Sequence, residues 1–131
     1  ITDGVAYTIR AALPALRSSG TGRIVTVSSS AVEGSPGMAA YVTAKAGLHG
    51  LTWVLAAELG EAGILSNVVM PGMVLTERNA NRPEEVRDAV ARRTPSGRIT
   101  TPAAVAALVV FLGTEDNGNV NGAVVPVTGG L

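Results

Sequence analysis

The sequence predicts an α/β protein built on a parallel β-sheet with helices on both faces. Three observations lead there. Segments with helical spacing of apolar residues alternate along the chain with short β-branched runs. Each of those runs is apolar along most of its length, as a strand covered on both sides must be. The chain is 47% hydrophobic and 15% charged, with 16 glycines and few aromatics, a composition suited to close packing of small aliphatic side chains. A length of 131 residues suits one domain.

Taken in order, Val5, Ile9, Leu13 and Leu16 recur on one face of a helix that runs to about Arg17. Pro14 lies inside it and is expected to kink it or restart the turn. "SSGTG" is a loop by composition, and "RIVTVSS" reads as a buried strand from about Arg23 to Ser28. "AVEGSPG" is a second loop. A long helix is expected from about Met38 to Gly60, with Gly63 near its exit. "LSNVVM" is another buried strand, stopped by Pro71 and Gly72. The polar run from Glu77 to Arg82 is expected to be mobile. Pro83 then opens a charged helix with acids in its first turn and arginines in its last, as the helix dipole favours. An amphipathic helix from about Ala103 to Leu112 follows, and "NGAVVPVTGG" closes the chain with a strand after an Asn-Gly turn.

Composition also excludes several functions. Ten acidic residues balance ten basic ones, leaving no electrostatic footprint for nucleic acid or an anionic membrane. The absence of cysteine removes disulfide and thiolate chemistry. No apolar run approaches the length of a membrane span, and the default expectation is a cytoplasmic protein. "NGNVNG" is turn chemistry rather than a metal loop, because its asparagines lack clustered carboxylates.

The chemistry-bearing residues gather in "SSSAVEGSPGMAAYVTAK", which holds Lys45, the only lysine beside nine arginines. Tyr41 and Lys45 are four apart on an expected helix and therefore share a face. A phenol titrates near pH 10 or so in isolation, and an ammonium held nearby favours its ionised form, making it a usable proton donor and acceptor closer to neutrality. Arginine supplies charge but not a compact three-donor head on a flexible stem. Serines at the end of the preceding strand can hydrogen-bond a substrate oxygen and hold it against the phenol. In open parallel sheets, ligands lie beyond the carboxyl ends of the strands, where "SSS" and "PGMVLT" both fall.

Together with "SNVVMPGMVLTE" and "TPSGRITTPAAVAALVVFLGTEDNGNVNGAVVPVTGGL", this region resembles the short-chain dehydrogenase/reductase family over essentially the whole chain. The resemblance implies a Rossmann-like sheet, here only its later strands, and hydride transfer between NAD or NADP and an alcohol or carbonyl substrate. Position by position it makes Tyr41 the acid/base, and Lys45 the residue that acidifies the phenol and holds the nicotinamide ribose. Matching the strand register makes Ser29 the hydroxyl that orients the substrate, whereas counting back from Tyr41 selects Ser28. Register in a buried strand favours Ser29. Pro71, Gly72, Val74 and Thr76 match the segment that lines the nicotinamide end of the cofactor. The stretch from Glu77 to Arg98 falls where the family builds its substrate lid. In that family the two long helices, here beginning near Val5 and Met38, pair between subunits, so the resemblance implies a homodimer or tetramer.

Two departures stand against that pattern. The family's glycine-rich pyrophosphate turn and first four strands have no counterpart in the sequence. Its catalytic asparagine, counted back from Gly4, is replaced by Ile1. "RIVTVSS" is then left with an open edge that invites another strand. Residues 1–131 are accordingly expected to be the C-terminal, catalytic and substrate-binding portion of a longer enzyme, or to have that edge covered by a partner chain. The competing expectation is a non-catalytic module that associates with other subunits. A Ser-His hydrolase using His49 finds no Gly-x-Ser-x-Gly elbow or acidic partner at a recognisable spacing; His49 is expected to be a packed or interface histidine. Trp53, with Leu48, Leu51 and Leu55, is expected in the core or at a subunit interface.

Overall fold

The computed structural model describes all residues from Ile1 to Leu131. Helix α1 (Thr2–Ser19) leads to strand β1 (Arg23–Val27), a 3-10 turn (Ser30–Glu33) and helix α2 (Ala39–Leu59). Strand β2 (Leu65–Pro71), helices α3 (Glu77–Ala80), α4 (Glu84–Arg93) and α5 (Pro102–Gly113), and strand β3 (Val124–Val127) complete the chain. The three strands form one wholly parallel sheet in the order β1-β2-β3. The expected fold class is present.

Alternation along β1 explains the two layers of helices. Thr26 meets Thr52 of α2, and Ile24 joins Ile9, Leu55, Leu59 and Ile64 in one buried cluster, so even-numbered residues face α1 and α2. Val5, Leu13 and Leu16 of α1 pack against the same cluster, as their spacing predicts. Val25, on the opposite face, lies beside Gly113 of α5. The central strand β2 is buried at every position. A fully covered strand leaves no place for a polar face, which is why "LSNVVM" shows no alternation of polar and apolar residues.

Polar groups inside this core are closely accounted for. Buried Asn67 donates to the Val120 carbonyl and accepts from the Ala123 amide. Asn121 accepts from the Ser66 amide, and Asn117 accepts from the Val120 amide. The asparagine-rich run therefore ties the entrance of β3 to β2 through side-chain bonds. Ser66 is the exception. Its side chain is fully buried and its hydroxyl has no partner. Replacing a buried, unpaired hydroxyl with a methyl removes an uncompensated desolvation cost, so Ser66→Ala is expected to leave stability unchanged or raise it by up to about 1 kcal/mol. Denaturant unfolding checks this, and clear destabilisation would show that the hydroxyl has a partner after all.

Two expectations need correction. α1 continues through Pro14 without restarting, because Pro14 is exposed and the carbonyl it deprives of a partner can be hydrated. Residues 77–80 form a short helix rather than a mobile run: the Thr76 carbonyl accepts from both Asn79 and Ala80, and Asn79 donates to the Val74 carbonyl. Trp53 is 56% exposed, whereas Leu48 and Leu55 are buried, so of the two places expected for the indole the structure excludes the core.

β1 forms one edge of the sheet. Its even-numbered backbone groups serve β2, as in the bond from the Ser28 amide to the Val69 carbonyl. In a parallel ladder the odd-numbered groups at Arg23, Val25 and Val27 therefore face outward. Beside them runs a groove of about 520 Å³, lined mainly by apolar residues of α1 and β1. The exposed edge expected from the sequence is thus present. No helix is long and apolar enough to cross a membrane.

Candidate active site

The carboxyl ends of β1 and β2 adjoin, Val27 lying opposite Val69, so the segments that follow both strands emerge at one end of the sheet. α2 packs against both strands. Helical periodicity brings Tyr41, Lys45 and His49 along a single ridge, each four positions after the one before.

Lys45 holds its ammonium 5.9 Å from the centre of the Tyr41 ring, on the ring's face. The same ammonium donates to the Val27 carbonyl at 2.7 Å, one of the outward-facing groups of the open edge. The two side chains predicted to act together therefore do lie together, at the mouth of β1. Both are partly exposed.

The two serines differ sharply. Ser28 is 4% exposed. Its hydroxyl donates to the Lys45 carbonyl at 3.2 Å and lies 2.7 Å from His49 Nε2. Ser29 turns its side chain the other way, into the 3-10 turn, where its Oγ accepts from the Ala31 amide at 3.2 Å. A hydroxyl has one proton to give. The Ser28 hydroxyl is engaged by the Lys45 carbonyl and by His49 Nε2, whereas the Ser29 hydroxyl acts only as acceptor within the chain, where its proton has no partner.

By distance alone His49 and Ser28 resemble a nucleophile and its base, but the arrangement is wrong for that chemistry. Ser28 is buried, and its hydroxyl also reaches the Lys45 carbonyl. Burial also lowers the His49 pKa below its ordinary value of 6.5, which favours the neutral ring. The Ser28–His49 contact escaped the sequence reading, although the four-residue step from Lys45 to His49 was a usable signal.

The remaining expected site residues lie along the path out of β2. Pro71 ends the strand and is buried. Gly72 donates to the Val127 carbonyl, and a Cβ there would meet the Thr128 backbone at 3.4 Å. Val74 forms an isolated parallel bridge with Thr100, closed by the bond from the Leu75 amide to the Thr100 carbonyl. Thr76 starts α3. The excursion through α3 and α4 therefore leaves and returns at one fastened point. No hydrogen bond joins this group to the Tyr41–Lys45 ridge; they share an end of the sheet. Nor does any cluster of three or more metal-ligating side chains occur.

Comparison with known proteins decides the family. A family profile described as enoyl-(acyl carrier protein) reductase matches residues 2–131. The chain is 42% identical over 130 residues to (3R)-3-hydroxyacyl-CoA dehydrogenase of Rattus norvegicus, covering 98% of this chain and 50% of that protein. It belongs to the short-chain dehydrogenase/reductase family. Among solved structures of the family, a 3-oxoacyl-[acyl-carrier protein] reductase from Brucella melitensis superimposes with a TM-score of 0.91 at 36% identity, covering 98% of this chain and 48% of that one. A second structure from that organism, a reductase with bound NAD, matches at a TM-score of 0.85 and 35% identity, covering 98% of this chain and 47% of that one. ElxO, solved with NADP bound, matches at 0.89 and 30%, covering 97% of this chain and 53% of that one. The chain thus spans about half the length of the relatives it matches. Its three parallel strands are a Rossmann-type arrangement.

Proposed function

We propose that residues 1–131 form the catalytic and substrate-binding portion of an NAD(P)-dependent oxidoreductase that interconverts an alcohol and a carbonyl compound. A 3-oxoacyl thioester and its 3-hydroxy counterpart are the substrate class we favour, because the rat and Brucella relatives carry those activities in their names. The observation that carries the reading is the Lys45 ammonium over the face of Tyr41, beside a strand end whose Ser29 hydroxyl keeps a free proton.

The available donors suit the nicotinamide-ribose end of a dinucleotide. The Tyr41 and Thr76 hydroxyls and the two ammonium hydrogens not used by Val27 are polar, uncharged or cationic groups that fit sugar and carboxamide oxygens. Pro71, Gly72 and Val74 would line the same end. The glycine-rich turn for the diphosphate is absent from these residues. When bound, the nicotinamide supplies the hydride, or receives it in the reverse direction. Ser29 donates to the substrate oxygen and orients it. Tyr41 gives that oxygen its proton during reduction and removes it during oxidation. The Lys45 charge stabilises the phenolate left behind, an electrostatic task for which a preorganised cation is well suited.

A second reading rests on the open β1 edge and its apolar groove: an association module without turnover. The two readings separate in one experiment. The chain is fused behind the N-terminal half of the rat relative and assayed with acetoacetyl-CoA and either NADH or NADPH. Substrate-dependent oxidation of the nicotinamide is expected. A folded fusion that binds cofactor yet shows no turnover would leave only the association reading.

A further inference from the structure

The contacts at the end of β1 contain more information than the placement of the proposed catalytic groups. β1 and α2 are joined by two side chains that reach in opposite directions. Lys45 of α2 donates to the backbone carbonyl of Val27. Ser28, the next residue on the strand, donates to the backbone carbonyl of Lys45. Each partner thus grips the main chain of the other within one residue of its own attachment point.

His49 completes this latch. The Lys45 carbonyl can only accept, and the Ser28 hydroxyl lies within donating distance of it at 3.2 Å. His49 Nε2 lies 2.7 Å from the same hydroxyl oxygen, and with the Ser28 proton on the carbonyl the imidazole is the donor of this bond. In that arrangement the imidazole is the Nε2–H form, with Nδ1 bare. The bonds then run in one direction, from His49 through Ser28 to the Lys45 backbone.

We propose that His49 is a positioning residue: as an Nε2–H donor it orients Ser28, and through Ser28 it sets the helical turn that carries Lys45 against the strand end that carries Ser29. The inference builds on the oxidoreductase reading, since Lys45, Tyr41 and Ser29 are the groups that reading employs. Nothing in the arrangement needs His49 to touch a substrate. Its contribution is geometric: small errors in the placement of reacting groups are costly to rate. Glutamine can present an amide N–H from a flexible side chain, whereas leucine fills space without a donor.

Side-chain nitrogen NMR on the chain, above pH 7 and without cofactor or substrate, tests the proposal. His49 is expected to show a protonated Nε2 and a bare Nδ1, with the Nε2 hydrogen protected from solvent exchange. Ser28→Ala should remove that protection. The second readout is the nuclear Overhauser contact between the Lys45 side-chain methylenes and the Tyr41 ring. It should weaken at least twofold in His49→Leu and return in His49→Gln. A proton on Nδ1, an Nε2 hydrogen indifferent to Ser28→Ala, or an unchanged Lys45–Tyr41 contact in His49→Leu would overturn the proposal. If His49→Leu fails to fold, His49→Gln and Ser28→Ala still decide the hydrogen-bond direction. Neither readout depends on turnover, so the fusion assay remains a separate judge of the oxidoreductase reading.

Discussion

Tyr41→Phe, introduced into the fusion that completes this chain, is expected to reduce kcat by about a thousandfold, in the middle of the range for a positioned general acid. Cofactor affinity should change little. The substitution removes one oxygen and keeps the ring beneath the Lys45 ammonium, so the packing at the end of β1 stays in place. Steady-state kinetics give the first quantity and fluorescence titration with NADH or NADPH the second. Retention of most of the turnover would mean that another group delivers the proton.

Lys45→Arg is expected to lower both turnover and cofactor affinity, each by roughly tenfold or more, although the charge is retained. The reason lies in the double duty of the ammonium, which lies 2.7 Å from the Val27 carbonyl and 5.9 Å from the centre of the Tyr41 ring. A compact head can serve a carbonyl and an aromatic face while offering its remaining hydrogens to a sugar. A planar guanidinium is longer and directs its donors in one plane. Kinetics and titration on the same fusion check both effects together. An arginine variant close to the parent in both respects would show that charge alone suffices.

Several features were legible because they depend on local rules. The apolar step from Val5 to Leu16 marks the buried face of α1, since every fourth position returns to the same side of a helix. β2 was legible because its sequence leaves no polar face to expose. The four-residue step from Tyr41 to Lys45 placed the two side chains together for the same reason. Other features depend on what lies across the fold. Trp53 shares the helix of Leu48 and Leu55 but faces outward, a distinction that only the direction of the sheet resolves. The short helix at Glu77–Ala80 forms in a polar run because Thr76 and Asn79 supply local bonds that composition does not reveal.

By itself the sequence determined the alternation of strands and helices, the parallel sheet and the ridge bearing Tyr41 and Lys45. Each follows from spacing within a single segment, where geometry is set by the repeat of one helix or one strand. Tertiary structure decided which serine hydroxyl is free. Ser28 and Ser29 are chemically identical and adjacent, yet a strand turns them to opposite sides. One meets the Lys45 carbonyl and the His49 imidazole, and the other meets only the Ala31 amide. A hydroxyl has one proton, and where it goes depends on groups distant in the chain and close in space.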